Sequence, residues 1–126
     1  MSNLQITLLS VALLMSAATT CLHVILGGRG IAKPLMQSGL EREMKNTLYF
    51  CWHFATLVLI VMTCAFAVPF FHSNWRELVG AASLLAGLIA AWNIAFVLTA
   101  RLPFKELPQW ILFVGIALPG SASLFV

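Results

Sequence analysis

The fold is decided by residues 78–100, which read LVGAASLLAGLIAAWNIAFVLTA and contain no charged side chain. A bilayer core of roughly 30 Å is crossed by about 20 apolar residues in a helix. Because no water is available there, the backbone must satisfy its own hydrogen bonds, which a helix does within one segment. This stretch therefore predicts a membrane-spanning helix.

Three more stretches of similar length also lack charged residues: 1–28, 46–75 and 107–126. Hydrophobic residues make up 61% of the 126 residues and charged residues only 9%, against about 25% charged in a typical soluble domain. We therefore predict an all-α membrane protein, a single domain over 1–126 that forms a four-transmembrane-helix bundle. The predicted spans are 4–27, 46–71, 78–100 and 107–125. A cleaved signal peptide is the alternative for the first stretch, but no basic residue precedes its apolar run.

The basic residues lie almost entirely on one side of this predicted bundle. Six of the seven fall in the first and third connections, at Arg29, Lys33, Arg42, Lys45, Arg101 and Lys105. Basic loops stay in the cytoplasm, so both termini are expected on the non-cytoplasmic side of a multi-pass protein, which we expect in a bacterial inner membrane. Gly27 and Gly28 are expected to end the first helix, and Pro34 to begin a short amphipathic segment.

Helical periodicity predicts which faces of the spans point inward. Polar residues repeat along one face of the first and second spans, and small residues along one face of the third, where they let helices approach closely. These faces contain Gln5, Ser16, Thr19 and His23 in the first span, Asn46, Tyr49, His53 and Thr56 in the second, and Ala82, Ala86 and Asn93 in the third.

Two histidines and an asparagine on these faces predict a polar pocket in the cytoplasmic half of the bundle. His23, His53 and Asn93 lie at similar depths when residues are counted from the cytoplasmic ends of their spans. Ionisable groups within a membrane are costly and are by default candidates for a functional site. The predicted ligand-binding residues are His23, His53, Asn93, Tyr49, Thr19 and Arg29.

Four interpretations of this pocket stay open. The first is a hydrogen-bonded network that fixes helix register. The second is a site for a hydrophobic ligand with a polar head group, such as a quinone or a lipid. The third is haem held by His23 and His53 as axial ligands. The fourth, a divalent metal site, is disfavoured because no carboxylate lies at that depth.

Several function classes lack the residues they need. The predicted spans contain no carboxylate for proton-coupled cation export, and no nucleophile–base pair stands out, so no catalytic residue is predicted. No C-x-x-C pair occurs, and no basic patch with interleaved aromatics suggests nucleic acid. The leading hypothesis is a non-enzymatic membrane protein that binds a small hydrophobic ligand or acts as a subunit, with the bilayer and either itself or a larger membrane complex as partners. The alternatives are a redox component linked to quinone or haem, and a small-solute transporter.

Overall fold

The computed structural model describes all residues 1–126, and 81% of the chain is helical with no strand. The prediction of an all-α chain is therefore confirmed. Three continuous helical stretches are long and apolar enough to cross a membrane: Asn3–Gln37, Arg42–Phe70 and Arg76–Thr99. The last helix, Gln109–Ala122, has 14 residues and reaches only about 21 Å.

The first of these stretches is a single rod of three parts. Helix α1 (Asn3–Leu22) begins at Ser2, whose hydroxyl accepts the Gln5 backbone N–H while the Gln5 side chain accepts the Ser2 N–H. A π-helical segment, His23–Ala32, continues it, and α2 (Lys33–Gln37) completes it.

The expected end of the first helix at Gly27 and Gly28 is wrong. No glycine has a positive φ, so neither adopts the left-handed geometry of a helix cap. The short segment expected from Pro34 is correspondingly the last turn of the same rod. At 35 residues, the rod is about 50 Å long and exceeds the roughly 30 Å of a bilayer core.

Three further helices complete the fold. Helix α3 (Arg42–Ala67) ends in a 3₁₀ turn, Val68–Phe70, and is followed by α4 (Arg76–Thr99) and α5 (Gln109–Ala122). Helix α1 packs against both α3 and α5, α5 packs most extensively against α4, and α3 touches α4 only slightly. The α1 rod and α5 are therefore the elements that connect the two sides of the bundle.

Small residues allow α4 and α5 to pack closely. Ala82 and Ala86 are buried, as their periodicity predicted. A Cβ at Gly120 would collide with the Ser83 hydroxyl and lie 2.8 Å from Phe66 Cε1, so α3, α4 and α5 meet closely only because this residue is glycine. A Cβ at Gly87 would lie 3.9 Å from the nearest side chain, an ordinary contact.

The polar face predicted for α1 is confirmed, since Gln5, Ser16 and Thr19 are all buried. Ser16 Oγ lies 2.8 Å from Thr63 Oγ1, and Thr20 Oγ1 lies 3.2 Å from the same oxygen. These hydroxyls join α1 to α3 in the middle of the rod.

The face predicted for α3 is wrong in part. Asn46 and His53 are exposed, whereas the buried residues are Leu59, Met62, Ala65 and Phe66. At 100° per residue, the centre of these four buried residues lies about 150° around the helix axis from the centre of the predicted face.

Most of the apolar surface stays outside. Only 22 of the 126 residues are buried, and Leu14, Val61 and Trp92 are 69%, 66% and 73% exposed. A soluble monomer rarely shows such continuous apolar surface. Lipid is the solvent that suits these helix faces.

Candidate functional site

The first part of the site is a cluster of His23, Trp52 and Thr56 where the π-helical segment meets α3. The His23 and Trp52 rings are stacked, with centroids 3.9 Å apart and planes 13° apart. His23 Nε2 lies 3.2 Å from Thr56 Oγ1 and 3.4 Å from the Trp52 carbonyl oxygen. The histidine is therefore fixed both by its ring face and by one ring nitrogen.

The hydrogen bonds within this cluster determine which ring nitrogen carries the proton. Thr56 Oγ1 donates its only proton to the Trp52 carbonyl at 3.1 Å. Because the same carbonyl lies 3.4 Å from His23 Nε2 and can only accept, this arrangement favours the tautomer with its proton on Nε2, which then donates to the threonine oxygen. In the neutral imidazole, Nδ1 is consequently an acceptor.

Gly27 makes the stacking possible. A Cβ at this position would collide with Trp52 Cη2 and lie 3.1 Å and 3.3 Å from Cζ2 and Cζ3 of the same ring. The indole therefore packs against bare backbone one turn beyond His23. The π-helical segment contains both His23 and Gly27. Such segments are rare, and π-helical turns are frequent at functional sites.

A cavity of about 450 Å³, here called the central cavity, opens beside this cluster between the rod, α3 and α5. Its polar residues are Thr19, His23 and Gln109, and its other lining residues include Leu22, Trp52 and Phe113. The volume falls within the roughly 300–1,000 Å³ of small-molecule sites, which are mostly apolar with a few polar groups. No charged side chain lines it.

The polar side chains that line the central cavity contain both acceptors and donors. Gln109 Oε1 is buried and has no hydrogen-bond partner. Thr19 Oγ1 has already given its proton to the Met15 carbonyl at 2.7 Å, and His23 Nδ1 is an acceptor by the argument above. The Gln109 amide N–H₂ and the Trp52 indole N–H are the donors in this wall.

A second cavity of about 450 Å³ lies on the other side of Trp52, and we call it the interfacial cavity. Its lining residues come from the π-helical segment, α2 and α3: Val24, Gly28, Ala32, Lys33, Met36, Gln37, Tyr49, Trp52 and His53. Trp52 belongs to the walls of both cavities. The indole thus separates an uncharged site from one that contains a lysine.

The structure does not bring the six predicted residues into a single pocket. Thr19 and His23 line the central cavity. Tyr49 and His53 line the interfacial cavity, with ring centroids 4.5 Å apart in an edge-on arrangement. The two remaining residues lie apart from both cavities: Asn93 on α4, with its Oδ1 buried and unpartnered, and Arg29, exposed on the π-helical segment.

Adjacent positions on α3 explain the separation of the two histidines. Trp52 faces His23, and the next residue is turned by about 100° around the helix axis. His53 therefore faces the opposite cavity. The arrangement does not suit haem with His23 and His53 as axial ligands, because His23 Nε2 is bonded to Thr56 and the His23 ring face is covered by Trp52.

Sequence reasoning missed two residues of the central cavity. Trp52 reads as an interfacial aromatic anchor, yet it forms the wall between the cavities. Gln109 lies at the start of the fourth predicted span, 107–125, and was not among the predicted ligand-binding residues. Its amide next to an apolar run was the only signal that could have identified it.

The structure contains no group of side chains arranged for metal binding or for thiol chemistry. No three His, Cys, Asp or Glu side chains lie close enough to hold a metal ion. Cys21, Cys51 and Cys64 are unpaired and exposed on helix surfaces. Free cysteines at such positions behave as small apolar residues.

The chain matches no protein-family model, and neither the curated proteins nor the solved structures include a significantly similar one. The residues that line the two cavities are therefore the basis for assigning a function. Their chemistry distinguishes an uncharged, mostly apolar central site from a cationic site at one end of the rod.

Proposed function

We propose that this chain is a membrane-embedded protein that binds a hydrophobic small molecule with an uncharged, hydroxyl-bearing head group in the central cavity. A quinol and a neutral lipid alcohol both have this chemistry. The protein acts as a ligand-binding bundle or subunit rather than as an enzyme. The observation that carries the proposal is the composition of the cavity wall, which is uncharged and mostly apolar and contains the polar side chains of Thr19, His23 and Gln109.

The ligand class follows from what the cavity offers. Its wall contains no charge, so a charged head group would lose its hydration there without an opposite charge to replace it. Its polar side chains on Thr19, His23, Gln109 and Trp52 contain both acceptors and donors. A ligand hydroxyl can pair with either kind of group, whereas a quinone can pair only with the donors.

We also propose the topology that the charge pattern predicts. The chain crosses the membrane four times, with the basic connections in the cytoplasm and both termini outside, in a bacterial inner membrane. Six basic residues against one support this orientation. The 14-residue α5 crosses with the help of its following turns, which bond back to Pro119 and Ser121.

The test compares an alcohol ligand with its oxidised form. Purified protein in a neutral detergent is melted with decylubiquinol, with decylubiquinone, and with neither. We expect the quinol to raise the melting temperature more than the quinone does. Native mass spectrometry of protein solubilised gently from its host membrane then reports whether a molecule of this class is retained.

The diagnostic variant is Gln109→Leu. It removes a buried amide oxygen that has no partner, and such a group costs about 1–3 kcal/mol, so the ligand-free variant should melt at a higher temperature than the wild type. It should also lose the response to quinol. The matched control, Gln37→Leu, changes a glutamine of the interfacial cavity and should keep the response. Equal responses in both variants, or no response in the wild type, would refute the proposal.

A further inference from the structure

The interfacial cavity contains a set of hydrogen-bond donors that the proposed function does not use. Lys33 and Gln37 lie on α2, and Tyr49 and His53 lie on α3, so two separate helices supply them. None of these four side chains takes part in the side-chain hydrogen bonds that join the helices, among which His23, Thr56 and Thr63 are prominent. The donors of these four side chains are therefore available to a ligand.

These four side chains suit an anionic oxygen. An ammonium offers three donors, an amide two, a phenol one, and an imidazole at least one. The two acidic residues of the same connection, Glu41 and Glu43, do not line the cavity. A cation accompanied by neutral donors and no carboxylate is the usual composition of a phosphate site.

The position of the cavity indicates where the phosphate comes from. The rod is about 50 Å long by its 35 residues, so its last turns reach beyond the hydrocarbon core into the head-group layer. The apolar Val24 and Met36 also line the cavity, and beside them Ile25 is 51% exposed. An acyl chain can follow this apolar surface while its phosphate stays at Lys33.

We propose that the interfacial cavity binds the phosphate of an anionic phospholipid. Lys33 pairs with the phosphate charge, and Tyr49, His53 and Gln37 donate to its oxygens. Gly28 leaves the wall open, since a Cβ there would meet no atom within 4 Å. The site is separate from the central cavity and does not depend on the ligand proposed for it, although both share the Trp52 wall.

The test is a lipid titration of the full chain. Delipidated protein in a neutral detergent is titrated with phosphatidylglycerol or with phosphatidylcholine of the same acyl chains, and bound lipid is counted by native mass spectrometry. We expect tighter binding of phosphatidylglycerol. Lys33→Gln should weaken that binding about fivefold, the effect of one basic residue near an anionic lipid surface, and Tyr49→Phe should weaken it further.

Lys105→Gln is the matched control, because it removes one positive charge from the other basic connection and should leave the affinity unchanged. Equal affinity for the two lipids, or equal losses in the two lysine variants, would overturn the proposal. Inorganic phosphate is titrated as a competitor in parallel. If inorganic phosphate does not displace phosphatidylglycerol, the result supports a lipid site. If inorganic phosphate displaces the lipid when both are present at the same concentration, the site binds a free anion and the lipid assignment is overturned. Gln109→Leu should not alter any of these results, so the two proposals can fail separately.

Discussion

Replacing Gly27 by alanine tests whether the packing of Trp52 against bare helix backbone holds the site together. The added Cβ would collide with Trp52 Cη2 and lie within 3.3 Å of two more ring atoms. The indole is a rigid ring stacked on His23 at 3.9 Å. It can give way only by leaving the histidine or by pushing α3 away from the rod.

The expected cost follows from three terms. Overpacking a tight contact costs about 1–3 kcal/mol, and loss of an aromatic stack costs about 0.5–1.5 kcal/mol. Alanine in a helix gains about 0.5–1 kcal/mol over glycine. We therefore expect Gly27→Ala to lower the free energy of unfolding by about 1–3 kcal/mol.

The neighbouring glycine provides the control. A Cβ at Gly28 would meet nothing within 4 Å, so Gly28→Ala should be neutral or stabilising by up to about 1 kcal/mol. Unfolding is followed by circular dichroism and tryptophan fluorescence in mixed micelles of increasing SDS content. Gly27→Ala is expected to lower the free energy of unfolding, and Gly28→Ala to leave it unchanged or raise it. Equal stabilities would show that the Gly27–Trp52 contact does not constrain the bundle.

Three further substitutions test other contacts, each measured by the same unfolding titration. Gly120→Ala should destabilise the bundle by about 1–3 kcal/mol because three helices meet there. Gly87→Ala should not destabilise it, since the nearest side chain lies 3.9 Å from the added Cβ. Equal effects of the two substitutions would contradict the packing described for α4 and α5. Thr63→Val removes the oxygen that contacts two α1 hydroxyls and should cost about 0.6–2 kcal/mol, and an unchanged midpoint would show that these contacts add nothing. Arg101 lies just beyond the end of α4 and has φ 54°, so Arg101→Gly should stabilise by about 1 kcal/mol. A loss of stability would mean that contacts of the arginine side chain outweigh its backbone strain.

The helices could be predicted from the sequence because their cause is local. Uncharged stretches of bilayer length decide them, and Asn3–Gln37, Arg42–Phe70 and Arg76–Thr99 contain most of the three longer predicted spans. The end of the first helix could not be read in the same way. Glycines at 27 and 28 favour a helix cap, but the packing of Trp52 against Gly27 stabilises a helix that continues past them. That contact joins residues far apart in sequence, so local patterns do not reveal it.

The candidate site was predictable only in part, for a geometric reason. Depth along each span follows from counting residues, and it correctly places His23 and His53 near the same end. Rotation around α3 depends on which neighbour the helix meets, and polarity alone suggested a face centred on His53. Leu59, Met62 and Phe66 form the packed face instead, because van der Waals packing against a particular neighbour also decides which face of a membrane helix lies inside.

The distribution of unpartnered polar atoms distinguishes a ligand site from a network that only fixes register. Between α1 and α3, the hydroxyls of Ser16 and Thr63 are paired, as a register-fixing network requires. At the start of α5 the pattern reverses, since Gln109 Oε1 and Trp110 Nε1 are buried without partners. Asn93 Oδ1 is also buried without a partner. Gly87 lies opposite Ala117 in the antiparallel pair of α4 and α5, so Asn93 lies level with the beginning of α5. Each such atom costs about 1–3 kcal/mol, and a purely structural network would have paired a buried acceptor with a donor at the same level. Of the four residues with such atoms, which also include Ser83, only Gln109 lines the central cavity, so its amide is the one that a molecule bound there can reach.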